Sequence, residues 1–371
     1  MDPHAQFCHS RDCWAYGRRG EGHIGIHSQR EQRYQCQRCG ATFSASKGTA
    51  LYRAHKPPDE VGQVVTLLAH GCPVQAIVAA FGWDERTVAR YPREAGAQCR
   101  RVHEHVVQAG DVELAQVQAD ELRVRVVGRV VWLATALAVS SRLWLGGAIS
   151  ARRDRQLIRA LLTRVRACGP TQRVLLCVDG LCSYVSQARQ VFREAVHTAG
   201  PGRPRLVLPA GVMIAQAVKQ YAQRRVVGVT PRVVRGTVAA VQARLTATQG
   251  AAEAMVNTAY IERLNATFRA HLAPLVRRTR AAARQAATLE AGMWLAGTGY
   301  NFCWPHESLR RRRGADEPPG GKWLARTPAQ AAGLTDHRWS VHELLTFPVP
   351  PAPLKRRGRR PRWLQEVARA A

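Results

Sequence analysis

The stretch that decides the fold runs from Val112 to Ser150 and reads VELAQVQADELRVRVVGRVVWLATALAVSSRLWLGGAIS. Its apolar and β-branched residues come in blocks bounded by Gly128-Arg129 and Ser140-Ser141, which predicts three strands joined by two tight turns. The next segment, RRDRQLIRALLTRVRACGP (152–170), places Leu157, Ile158, Leu161, Leu162 and Val165 on one helical face and stops at Gly169-Pro170. RVLLCVDG (173–180) then reads as a buried strand and YVSQARQVFREAVHTA (184–199) as a second helix. Two further strands, in RLVLPAG (205–211) and RRVVGVTPRVV (224–234), are expected to flank another helix.

Three strands, a helix, a strand and then alternating elements form the order of a ribonuclease-H-like core, an α/β arrangement whose mixed sheet carries helices on both faces. The expected core spans 112–300 and ends in helical sequence, NTAYIERLNATFRAHLAPLVRRTRAAARQAATLEAGMWLAGTGYNF (257–302). The C-terminal segment 301–371 is Arg-, Pro- and Gly-rich beyond Pro305, where it is expected to lie over the surface, and it ends in a basic tail, PLKRRGRRPRWLQEVARA.

Upstream, residues 58–96 show apolar positions at helical spacing, broken at His70-Gly71 and Gly82-Trp83. Three short helices are predicted near 60–69, 74–81 and 85–95, the last two related as in a helix-turn-helix, with 96–112 as a connecting helix or linker. Asp84 is the natural N-cap of the third helix, and Arg86, Arg90 and Arg93 are its candidate DNA contacts. An ordinary helical bundle with a solvated basic face would carry the same pattern.

Residues 1–50 have too few aliphatic side chains for a core but contain two cysteine pairs, Cys8 with Cys13 and Cys36 with Cys39. Two pairs on tight turns match a zinc ribbon, a tetrahedral thiolate site whose Zn²⁺ supplies folding free energy. The spacer of the first pair is long, and His4 or His9 could replace one ligand. A redox role is disfavoured, since no strand-then-helix pattern surrounds Cys36-x-x-Cys39.

Charge narrows the partner. The 55 Lys and Arg outnumber the 26 Asp and Glu, for a net charge of +29. Such an excess calls for a polyanion, and double-stranded DNA, with its condensed counterions, is the first choice. The basic residues are spread along the chain, unlike those of a helix lying on an anionic membrane. No apolar segment follows a basic start, and Val126–Val139 is interrupted by Arg129 and too short to span a bilayer. The expectation is a cytoplasmic, nucleoid-associated protein without membrane contact, whose ten cysteines are thiols or metal ligands.

In so acid-poor a chain, single carboxylates are informative. Asp120 interrupts a predicted strand, where Asp is disfavoured; Asp179 ends another; Glu262 lies on a late helix, sharing its face with Asn265 and Arg269. Three such carboxylates could hold two Mg²⁺ or Mn²⁺ ions for phosphodiester chemistry. Each also has an ordinary reading: Asp120 beside Arg123 or Arg125, Asp179-Gly180 as a strand-ending turn, Glu262 beside Arg263 or Arg269. Glu121 competes with Asp120 for the first position but points to the other face of the strand. The order strand one, strand four, late helix is what makes the trio meaningful.

Several blocks together resemble the DDE transposases of bacterial insertion sequences, in particular the group with an N-terminal zinc ribbon and helix-turn-helix. They are QCQRCGATFSASKGT, QADELRVRV, the strand ending in Asp179, NTAYIERLNATFRAHLAPLVRRTRAAAR, YNFCWPHESLR and RTPAQAAGLTDHRWSVHELL. The resemblance implies a metal-binding triad of Asp120, Asp179 and Glu262, with Asn265 and the pair Arg277 and Arg278 near the DNA. It implies cleavage at transposon ends, transfer of the 3′ hydroxyl into target DNA, and a dimer or larger assembly on DNA. The segments AAARQ (281–285) and Gly-Leu-Cys-Ser-Tyr (180–184) depart from the family pattern. His306 is at least as well suited to a structural role at a helix end as to a contact with DNA or the active site. Two other readings compete: a non-catalytic DNA-binding regulator derived from a transposase, and another nuclease with the same core.

Overall fold

The computed structural model of the protein describes residues 1–109, 111–197, 203–223, 225–276, 283–314 and 320–352. The chain divides into two compact units, Met1–Arg53 with the chain from Thr346 onward, and Ala54–Leu345. The expected basic tail from Pro353, and Arg277 and Arg278, lie outside the described residues.

In the first unit, β1 (Ile24–Ser28), β2 (Arg33–Cys36) and β3 (Thr42–Ser44) form an antiparallel sheet in the order β1-β2-β3. Its small core holds Tyr34, Phe43, Ile24 and Ala15 around Cys8 and Cys36.

The second unit begins with α1 (Pro58–Ala69), α2 (Val74–Phe81) and α3 (Glu85–Val106). Gly82 ends α2 in the left-handed conformation, φ 63°, which spares a Cβ clash. Asp84 caps α3 by accepting the Arg86 and Thr87 amides at 2.9 and 3.2 Å. The α3 helix is twice the expected length: it runs through Pro92 and absorbs most of the predicted linker. Packing explains the extension. Gly96 lets α3 approach a later helix so closely that a Cβ there would lie 2.4 Å from the Ala291 carbonyl oxygen, and Cys99, Val102 and His103 continue the buried face.

A six-stranded sheet follows. Its strands are β4 (Gln116–Val126), β5 (Arg129–Ala138), β6 (Trp144–Ser150) and, beyond α4 (Arg155–Cys168), β7 (Leu175–Asp179). After α5 (Cys182–Val191), the short hairpin β8 (Glu194–Val196) and β9 (Arg205–Val207) stands off this sheet. The sheet is completed by β10 (Met213–Ala222) and β11 (Arg225–Arg235). The order is β11-β10-β7-β4-β5-β6, with β4, β7 and β10 mutually parallel and the other pairings antiparallel.

Two elements differ from those expected. The stretch before β11, expected to be a helix, is strand β10. Residues Val212 to Ala217 are buried without interruption, and a short apolar run cannot be assigned by period alone; pairing with β7 decides it. The second predicted helix also ends early, at Val191, and its remainder supplies β8.

The chain closes with α6 (Val238–Gln249), α7 (Ala259–His271) and α8 (Ala286–Phe302), then a two-residue hairpin, β12 (Arg311–Arg312) with β13 (Trp323–Leu324), α9 (Pro328–Ala331) and α10 (Val341–Thr346). Val241 and Leu245 of α6 pack on Leu175, Cys177, Met213 and Ala215. Towards the β6 edge of the sheet, the rings of Trp144, Trp294, Phe268 and His103 interlock at centroid distances of 4.9–5.8 Å. Not all of the chain beyond Pro305 lies over the surface: Ala329, Leu344 and Leu345 are buried, and Trp339 packs on Phe302 at 4.6 Å.

Candidate functional site

In the first unit, one ligand atom each from Cys8, Cys13, Cys36 and Cys39 lies within 4.8 Å of the others. The Sγ atoms of Cys8 and Cys39 are 3.7 Å apart and those of Cys13 and Cys36 are 3.9 Å apart. A tetrahedral Zn²⁺ with bonds of about 2.3 Å needs sulfurs roughly 3.8 Å apart, so the set fits that ion. The Ser10 and Ala15 amides each donate to a sulfur at 3.4 Å, and Gly40, at φ 71°, closes the second turn. Burial raises the Cys8 and Cys13 thiols; at Cys39 burial is outweighed by the Ala41 amide and the neighbouring sulfurs, and its thiol falls to about 7. His9 is not in the group; its ring packs between Phe7 and Phe43 at 4.6 and 4.8 Å. His4 is likewise outside it.

In the second unit, Asp120 on β4 and Asp179 at the carboxyl end of β7 are brought together with Glu121, all three offering oxygens within 4.8 Å of one another. Successive β4 residues look to opposite faces. On one face, Gln118 accepts the Ile261 amide at 3.0 Å and Asp120 Oδ2 accepts from Asn265 Nδ2 at 2.9 Å, which docks α7 on the strand. On the other, Glu121 Oε2 receives Arg153 Nη2 at 2.7 Å and Nε at 2.8 Å. The same Nη2 reaches Asp179 Oδ2 at 3.1 Å. Asp179 is fixed further: its Oδ1 accepts the Leu181 amide, and its carbonyl accepts from Gln216 Nε2, both at 2.9 Å.

Burial, then the charge of Asp179, raises the Asp120 carboxyl above its usual range; burial also raises Glu121, against the pull of Arg153 and Tyr184. Glu262 lies outside the three-acid group but close enough for its charge to contribute to the rise at Asp120. It accepts from Lys219 Nζ at 2.8 Å and Thr258 Oγ1 at 3.0 Å, and although burial opposes them, these contacts lower its pKa. Hard oxygens crowded in this way, two of them with raised pKa, can hold a divalent cation such as Mg²⁺ or Mn²⁺.

Asn265, expected beside DNA, is 1% exposed and spends its amide on Asp120 and on Thr135, at 2.9 and 3.1 Å. Arg269 is half-buried on the same helix. Arg86, Arg90 and Arg93 are exposed along one face of α3, and Arg90 is paired with Glu94 at 3.2 Å. Sequence reasoning did not find Arg153 or Lys219. Arg153 sits in an unremarkable run, ARRDRQ, 32 residues from Glu121, and Lys219 lies where a helix was expected. No spacing rule connects either to its acid.

Comparison with protein-family models gives no match for this chain, and comparison with curated proteins gives no similar sequence.

Proposed function

We propose that the protein is a metal-dependent DNA strand transferase of the DDE transposase kind, cleaving at transposon ends and joining the 3′ hydroxyl to target DNA. One observation carries this reading. Counted from β4, the five strands β4, β5, β6, β7 and β10 lie in the order 3-2-1-4-5, and the first and fourth, adjacent and parallel, each present an aspartate at one acid cluster. That topology supports a ribonuclease-H-like core with Asp120 and Asp179 as two metal ligands and Glu262, on α7, as the third. Glu121 is a further candidate ligand. Bound there, two divalent ions would activate the attacking oxygen and stabilise the leaving one. The chain's own residues set the stage: Asn265 orients Asp120, Leu181 and Gln216 orient Asp179, and Lys219 orients Glu262.

The four-cysteine site supports a zinc ribbon, and the α2–Gly82–α3 geometry supports a helix-turn-helix with Arg86, Arg90 and Arg93 toward DNA. End recognition would then lie before residue 96, because phosphate contacts elsewhere position DNA without reading its sequence. Assembly as a dimer or larger complex on paired ends, and association with the nucleoid, belong to the same reading. Among the described residues no helix is long and apolar enough to cross a membrane.

Strand transfer by the purified protein on a labelled end duplex tests this, with Mg²⁺, with EDTA, and with Asp179→Ala. Joined products that need both the metal and Asp179 are expected. Tight, metal-independent binding without cleavage or joining would overturn the enzymatic reading in favour of a DNA-binding regulator.

A further inference from the structure

The block YNFCWPHESLR has no part in the acid cluster, yet it helps to build a second polar site. Tyr300 and His306 wall a cavity of about 180 Å³ with Arg142 and Arg263. Arg142 follows β5, and Arg263 projects from α7 directly after Glu262. The cavity is small compared with the several hundred Å³ of pockets that enclose whole organic ligands.

Its walls are preorganised and cationic. The Arg142 guanidinium lies over the Tyr260 ring at 4.0 Å and donates to the Val139 carbonyl, while the Tyr300 hydroxyl donates to the Arg142 carbonyl at 3.0 Å. Glu253, the acid on the wall, receives the Tyr260 hydroxyl at 3.2 Å. Among the described residues neither arginine forms a salt bridge.

His306 completes the set. Its Nδ1 accepts the Ser308 backbone amide at 3.3 Å and lies 3.0 Å from the Ser308 hydroxyl. Burial, with Arg142 and Arg263 nearby, lowers its pKa to about 4, so the ring is neutral at physiological pH. A neutral imidazole whose Nδ1 accepts carries its proton on Nε2 and is a donor there.

We propose that this cavity grips one phosphate of a DNA strand between the guanidinium groups of Arg142 and Arg263, with His306 Nε2–H as an uncharged third donor. A planar guanidinium suits phosphate oxygens, and a neutral donor adds a hydrogen bond without further like-charge repulsion. The DNA origin of the phosphate rests on the function proposed above; the phosphate chemistry of the cavity does not. Because α7 carries Glu262 toward the acid site and Arg263 toward the cavity, the held phosphate would set the register of the strand relative to the carboxylates.

The test is a set of end duplexes, each with one phosphate replaced by an uncharged methylphosphonate, bound to the wild-type chain, Arg263→Ala, His306→Gln and His306→Ala. Neutralising one particular phosphate should weaken wild-type binding by about tenfold. Arg263→Ala should weaken the unmodified duplex by a similar factor and lose its sensitivity at that phosphate alone. His306→Gln, whose amide nitrogen can stand in for Nε2, should keep most of the affinity that His306→Ala loses. Unchanged affinity and an unchanged interference pattern in Arg263→Ala would overturn the proposal. If the wild-type chain binds no duplex, the function proposed above fails, and thermal unfolding in inorganic phosphate decides the cavity. Stabilisation of wild type but not of Arg263→Ala would keep a phosphate site and overturn its DNA source; stabilisation of neither would overturn both.

Discussion

The cysteine cluster and the acid cluster each gather groups that repel once ionised, and they differ in what offsets the repulsion. At Cys8, Cys13, Cys36 and Cys39 the hydrogen bonds to sulfur come from neutral backbone amides, and the sulfurs stand at the spacing of a tetrahedral ion. Around Asp120, Glu121 and Asp179 the protein supplies its own cation: Arg153 bridges two of the three acids, and Lys219 holds Glu262 nearby. On the proposed reading, the first region would need a metal to complete its fold. The second is already charge-paired by Arg153, so on the same reading a metal there would be left to serve chemistry and not folding.

The largest test of this contrast is metal removal. One zinc per chain is expected by elemental analysis, with a folding contribution on the order of 10 kcal/mol. Chelation should expose the amides of Met1–Arg53 to hydrogen exchange while those of Ala54–Leu345 keep their protection. Equal protection of the first unit with and without the ion would break the comparison.

Next in size is the catalytic loss. Asp179→Asn should cut strand transfer by roughly 10³-fold, given several kcal/mol of transition-state stabilisation from bound metal. Its melting temperature should move little, because the Arg153–Asp179 pair is about one-third exposed on both sides and partly screened. Large unfolding in this variant would mean that the acid cluster is structural after all.

Arg153→Ala sharpens the point from the other side. It leaves Glu121, whose side chain is 0% exposed, without its cation, at a cost of about 2–4 kcal/mol. Mg²⁺ should then raise the melting temperature of the variant more than that of wild type, since ion and arginine satisfy the same carboxylates. An identical Mg²⁺ response in both proteins would count against a shared site.

The smaller effects concern pH and Lys219. Asp120 and Glu121 have raised carboxyls, so the native state keeps protons that the unfolded chain releases. Without metal, stability should therefore fall as pH rises from the ordinary carboxylate values, 3.8 and 4.5, through the raised native ones. Glu121→Gln should flatten that slope, and an unchanged titration curve would refute the assignment. Glu262 behaves oppositely: its lowered pKa gives stability present above 4.5 and lost as pH falls through the native value. Because the Lys219–Glu262 pair is exposed, Lys219→Met should cost under about 1 kcal/mol in thermal melts.

Much of this was legible in the chain because it is local. The strands of 112–150 fell between their expected turns, α4 kept its apolar face, and Asp84 capped α3 as its residue type suggests. The two cysteine pairs were readable for the same reason: each is a short turn that carries its own geometry. The identity of β10 was not readable, since a short buried run has no diagnostic period and takes its form from β7 alongside it. The length of α3 was not readable either, because it depends on how closely Gly96 approaches Ala291, nearly two hundred residues away.

By itself the sequence determined the excess of positive charge, the cysteine pairs, the strand-and-helix order from β4 to α5 and the two aspartates at strand positions. Each follows from composition or from neighbours within a few residues. Only the tertiary structure decided that Glu121 joins Asp120 and Asp179, that Arg153 and Lys219 neutralise the acids, and that Arg142, Arg263 and His306 share one cavity. Those groupings depend on strand register and helix docking, which bring together side chains that no sequence spacing relates.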